Sequence, residues 1–89
     1  MIDTDICIIN KLGLHARATA KLVALTSSFR STIRITKGAK TVDAKNMMGV
    51  LMLGAGKGTT LRLAIDGEDA DLAYQAIVNL FERRFDEAE

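Results

Sequence analysis

The sequence predicts an α+β fold, a two-layer open-faced sandwich in which a four-stranded antiparallel sheet carries three helices on one face. Three observations lead there. Segments of apolar–polar alternation recur at 32–37 and 59–65, as half-buried strands require. Two longer stretches place apolar residues at helical spacing. The elements follow in the order strand, helix, strand, strand, helix, strand, helix. The 89 residues leave no room for two cores, so 1–89 is read as one domain.

The first strand is predicted at 4–9, TDICII, from its β-branched and apolar content. Cys7 within it is expected to be a small buried hydrophobe. Asn10 and Gly13 then mark a turn. A helix starts at Ala16, with Ala18, Leu22, Leu25 and Phe29 on one face, and His15 stands at or near its N-cap. Thr26, Ser27, Ser28 and Ser31 are expected to end it through local side-chain bonds. Residues 32–37 alternate Thr32, Arg34 and Thr36 against Ile33 and Ile35, and the turn around Gly38 leads into a second strand of a hairpin. Asn46 is the expected N-cap of a short helix in MMGVLML. After a glycine-rich loop at 54–58, Leu61, Leu63 and Ile65 define the fourth strand. The last helix is placed from Glu68, with Glu68, Asp69 and Asp71 favouring its dipole and Ala70, Ala73, Ile77, Leu80 and Phe81 as its apolar face. Arg83 and Arg84 suit its C-terminus. The acidic tail FDEAE does not, and is expected to fray.

Composition removes several function classes. Twelve basic and eleven acidic residues give a net charge of +1, so there is no bulk field for nucleic acid or an anionic membrane. Three phenylalanines, one tyrosine and no tryptophan leave few stacking platforms for bases. One histidine and one cysteine are too few for a zinc site built of those ligands, and no metal or cofactor is expected. No stretch approaches the roughly 20 apolar residues of a membrane span. The start MIDTDICIIN lacks the basic-then-apolar pattern of a signal peptide. With an unpaired cysteine, this points to the cytoplasm. The loop GAGKGTT is not a phosphate-binding P-loop, because Leu51 and Gly58 stand where that pattern needs glycine and Ser or Thr.

All imidazole chemistry therefore runs through His15. A histidine ahead of a helix lies near the unpaired amides of the first turn. Those amides and the dipole favour the neutral, nucleophilic ring. A phosphoryl group captured there would meet converging backbone donors, and Arg17 could add a charge-assisted bond. The competing reading is a surface histidine that only caps the helix; spacing alone leaves both open.

The segment NKLGLHARA at 10–18 resembles the active-site segment of the HPr family, the histidine phosphocarriers of the phosphoenolpyruvate-dependent phosphotransferase system. The likeness extends over essentially the whole chain. KNMMGVLMLGAGKG is similar to the family's second signature, and the closing LFERRFDE resembles its nitrogen-related branch, NPr. The resemblance implies that enzyme I phosphorylates Nδ1 of His15, that Arg17 and the amides of Ala16 and Arg17 steady the group, and that an enzyme IIA protein receives it. It also implies a carrier that works only with those partners, a monomer, and neither a nucleic-acid nor a membrane ligand. Three departures stand out. Ala18 replaces the family's usual proline. Asn46 replaces the regulatory serine of many members, and asparagine cannot be phosphorylated. Ala24, Ser27 and Gly49 stand where lysines are common. Docking is accordingly assigned to an apolar patch of Met47, Met48 and Leu51, with Val50 and Leu53 in the core. The alternative function is a regulatory module of the same fold that docks on other proteins through this second helix, with or without a phosphoryl group.

Overall fold

The computed structural model describes residues 1–89. Its elements are β1 (Ile2–Cys7), α1 (Ala16–Thr26), β2 (Thr32–Lys37), β3 (Lys40–Asp43), α2 (Met47–Leu51), β4 (Thr60–Asp66) and α3 (Ala70–Glu82), followed by a tight turn at Arg84–Asp86. The strands form one antiparallel sheet in the order β1-β4-β2-β3. The last strand in sequence thus fills the slot between the first two. Its pairing sets Ile6 opposite Leu61 and Ile35 opposite Leu63, so the inward residues of three strands meet on one side.

That side is the core. Ile33, Ile35, Leu61, Leu63 and Ile65 are fully buried, and Ala18, Leu22, Val50, Ala73 and Ile77 come down on them from the three helices. The other face is open and polar. On it Arg62 donates to Asp3 at 2.5 Å and to Asp5 at 3.2 Å, exposed pairs that add little stability. The fold class is as the sequence predicts. The alternation at 32–37 and 59–65 sorts inward and outward residues correctly, because only one face of an antiparallel sheet needs to be apolar.

Four local readings are corrected. β1 lies two residues earlier, at Ile2–Cys7. Cys7 is exposed: Ile6 and Ile8 on either side point inward, and a residue between two inward neighbours on a strand must face the other way. α3 starts at Ala70, and Asp69 makes no cap hydrogen bond there. Its carboxylate instead accepts from the amides of Arg30 and Ser31, at 2.8 and 3.0 Å, and from Ser31 Oγ at 2.5 Å.

The tail is the fourth correction. After α3 the chain reverses through Arg84, Phe85 and Asp86, all with positive φ (56°, 55° and 64°), and returns to the start of α1. Phe85 is fully buried, its ring 4.9 Å from that of Phe81. Lys21 Nζ donates to the Phe85 carbonyl at 2.9 Å, and the Lys11 amide donates to the Glu89 carbonyl at 2.7 Å. Burying a phenylalanine side chain is worth about 1.5–3 kcal/mol, against about 0.3–1 kcal/mol for a misplaced acid at a helix end. The anchor outweighs the dipole. No helix is long and apolar enough to cross a membrane.

Candidate functional site

The segment leading to His15 is pinned on both sides. Asn10 is fully buried and its side-chain amide donates to the Gly13 carbonyl at 2.9 Å. Gly13 adopts φ +65°, a left-handed conformation that suits glycine. The Leu14 amide donates to the Ala55 carbonyl at 2.9 Å, and Thr19 Oγ1 donates to the Leu14 carbonyl at 3.0 Å. The glycine-rich loop that imitates a P-loop therefore serves as a backbone cradle for the segment before His15.

His15 is the N-cap of α1, with extended backbone (φ −73°, ψ 178°). Its carbonyl accepts from the Thr19 amide at 2.8 Å, and its Nδ1 accepts from the Arg17 amide at 3.3 Å. The amides of Ala16 and Ala18 make no hydrogen bond, as expected in a first helical turn. An anion beside Nδ1 would find these donors together. The Arg17 side chain is exposed and forms no ion pair, so its guanidinium is free to reach an oxygen there. Ala18 is fully buried; since its amide bonds to nothing, the family's proline would remove no hydrogen bond at this position.

The other ring nitrogen meets the tail. Nε2 is hydrogen-bonded to Glu87 Oε2, and Glu87 Oε1 accepts from Asn10 Nδ2 at 3.1 Å. The His15 side chain is 29% exposed and that of Glu87 17%, so the pair is partly withdrawn from water. The hydrogen bond from His15, and then that from Asn10, hold the Glu87 carboxyl below the usual carboxylate range, against the opposing effect of burial. Leu12, Ala16, Arg17 and Glu89 complete the walls of the cleft around them.

His15, Ala16 and Arg17 thus come together as the sequence places them. Asn46 caps α2, its Oδ1 accepting from the Gly49 amide at 3.2 Å. Met48 is 63% exposed, Met47 and Leu51 are half-buried, and Val50 and Leu53 are buried. None of Met47, Met48 and Leu51 lines the His15 cleft. Sequence reasoning missed Glu87 and Asn10. The available signal was Phe85, four residues beyond Phe81 and so positioned to continue the same apolar face.

An open-faced sandwich presenting a single imidazole at a helix start, beside an unpaired arginine, has the makings of a carrier for one anionic group. Comparison with known proteins makes this specific. A family model described as "PTS HPr component phosphorylation site" matches residues 2–83. "Phosphocarrier protein HPr" of Xylella fastidiosa is 49% identical over 87 residues, covering 98% of each chain. "Phosphocarrier protein NPr" of Shewanella violacea is 46% identical, over 98% of this chain and 96% of that one. A crystal structure of HPr from Thermoanaerobacter tengcongensis superposes with a TM-score of 0.95 at 40% identity, over 100% of both chains. The chain belongs to the HPr family and is a phosphocarrier of the phosphotransferase system. The alternative reading, a regulatory module that acts by docking through α2, is not favoured.

Proposed function

We propose that His15 is the residue that carries the phosphoryl group. The observation that supports this most is the direction of its ring: Nδ1 faces the first turn of α1 and accepts from the Arg17 amide, in a turn whose Ala16 amide is unpaired and whose Arg17 guanidinium forms no ion pair. The Nδ1 lone pair attacks phosphorus; the P–N bond forms as the bond from phosphorus to the donor atom breaks, its electron pair leaving on the donor. The Arg17 amide, now turned to Nδ1, then serves a phosphoryl oxygen, and the Arg17 side chain supplies the compensating charge. Enzyme I is the donor and an enzyme IIA protein the acceptor. The chain supplies no turnover site of its own and acts between these partners' sites, as a monomer in the cytoplasm. Met47, Met48 and Leu51 are the docking residues, and Asn46 removes the regulatory phosphorylation of α2.

Incubation with enzyme I and phosphoenolpyruvate tests the reading. The expected product is an acid-labile, base-stable adduct on His15, absent from His15→Ala. Arg17→Ala should still be modified, but roughly 10- to 100-fold more slowly, the worth of one charge-assisted hydrogen bond. An adduct on His15→Ala, or none on the wild-type chain with a cognate enzyme I, overturns it.

A further inference from the structure

An imidazole has two nitrogens, and the reading above uses one. Nδ1 accepts the Arg17 amide, so its lone pair points there and the proton of the neutral ring belongs on Nε2. The partner of Nε2 is the carboxylate of Glu87, 72 residues away. That carboxylate is held from two directions. Asn10, fully buried and bonded to the Gly13 carbonyl, donates to its other oxygen. Two residues earlier Phe85 is sunk in the core, with its carbonyl taken by Lys21. The chain thus commits a buried amide and a buried aromatic ring to aiming one carboxylate at one nitrogen.

We propose that Glu87 is a positioning residue for phosphoryl transfer: it accepts the Nε2 proton of His15, keeps the Nδ1 lone pair turned to phosphorus, and retains that proton on the ring through both transfers. The proposal rests on His15 being the acceptor. When Nδ1 attacks, the P–N bond forms, the bond from phosphorus to the donor breaks, and the ring, still protonated at Nε2, takes on a positive charge. The Glu87 carboxylate lies against that charge. On the onward step the P–N bond breaks with its electron pair returning to Nδ1, and the ring departs as neutral imidazole with the proton still on Nε2. No proton has to move in either direction. If water took the Nε2 proton in between, the leaving group would be an imidazolate, a far poorer one. Fixing a ring nitrogen through a carboxylate on the opposite nitrogen is a general way to set a tautomer and to stabilise the cation that forms.

The test compares the full chain with Glu87→Gln and Glu87→Ala. The first readout is the nitrogen-15 spectrum of the His15 ring. In the wild type the neutral ring should carry its proton on Nε2, exchanging slowly with water; in Glu87→Ala that proton should exchange at least about tenfold faster. The second is phosphoryl uptake from enzyme I and phosphoenolpyruvate. Glu87→Ala should lower the first-order rate about tenfold with KM for enzyme I unchanged, and Glu87→Gln, whose amide oxygen accepts the proton without the charge, should fall between. A tail contact that served only the fold would alter the ring spectrum but leave the first-order rate of uptake unchanged. Uptake by Glu87→Ala at the wild-type rate or faster, or an unchanged ring spectrum, overturns the proposal. Failure of the wild-type chain to be phosphorylated on His15 overturns the acceptor reading instead, and the two failures are read from different samples.

Discussion

Gly13 shows how tightly one residue can be bound to a site two residues along the chain. A Cβ there would lie 2.5 Å from the Ala55 carbonyl oxygen and 2.6 Å from Gly56 Cα, both backbone atoms. Neither can swing aside as a side-chain tip would. The left-handed backbone alone costs a non-glycine residue about 1–3 kcal/mol, and the contact adds to it. Gly13→Ala should therefore lower stability by at least about 1 kcal/mol in urea unfolding and displace the amide resonances of Leu14, His15 and Arg17. Gly56→Ala is the control. It has open space around its Cβ and should stay within about 0.5 kcal/mol of wild type. At this scale the place of His15 at the cap, with Arg17 beside it, was legible in the sequence, because a cap and its first turn are local. Cys7 was misread for want of parity: residue type suggests burial, but strand alternation decides it. Glu87 was illegible, since nothing within several residues of either partner encodes a contact across 72 positions.

Among the elements, the short ones are set by their caps and the longer ones by their apolar faces. α2 has only five residues and starts where the Asn46 side chain satisfies the Gly49 amide. α1 and α3 bury the residues at helical spacing that mark them in the sequence. The tail obeys neither rule. Of its three left-handed residues only Asp86 is of a type that adopts this conformation readily, so at Arg84 and Phe85 propensity argues against the turn, and its acidic composition argues against docking at all. Phe85 supplies what the local sequence lacks. Phe85→Ala should cost about 3–5 kcal/mol, as for a fully enclosed aromatic side chain. It should also free Glu87, whose carboxyl should climb back toward the ordinary range once the bonds from His15 and Asn10 are lost. Carbon-13 titration of the Glu87 carboxyl and urea unfolding measure the two effects on one variant. A stability loss with Glu87 still depressed would mean that Asn10 and the Lys11–Glu89 backbone bond hold the tail by themselves.

Over the whole molecule, three carboxylates stitch the C-terminal third to the rest. Asp69 joins the start of α3 to the loop before β2, Asp86 bonds Arg83 and Lys21, and Glu87 bonds His15 and Asn10. All three are held below the usual carboxylate range. The causes are the Ser31 hydroxyl and Arg30 amide for Asp69, Arg83 and Lys21 for Asp86, and His15 and Asn10 for Glu87. The strand order could not be read from the sequence for a related reason, since β4 enters between β1 and β2 through pairings distant in the chain. A group whose folded value is depressed contributes its stability above its unfolded value and loses it as the pH falls through the folded one. The urea midpoint should therefore hold steady from neutral pH down to the ordinary carboxylate range and drop below it. Because all three groups clamp one region, α3 and the tail should loosen first, and their amides should exchange fastest as acid is added. The variant Asp69→Asn, Asp86→Asn, Glu87→Gln should begin lower at neutral pH and follow a flatter curve. If its midpoint instead runs parallel to the wild type down to pH values below the carboxylate range, these three groups are not what acid removes, and the acid limb belongs to the other carboxylates.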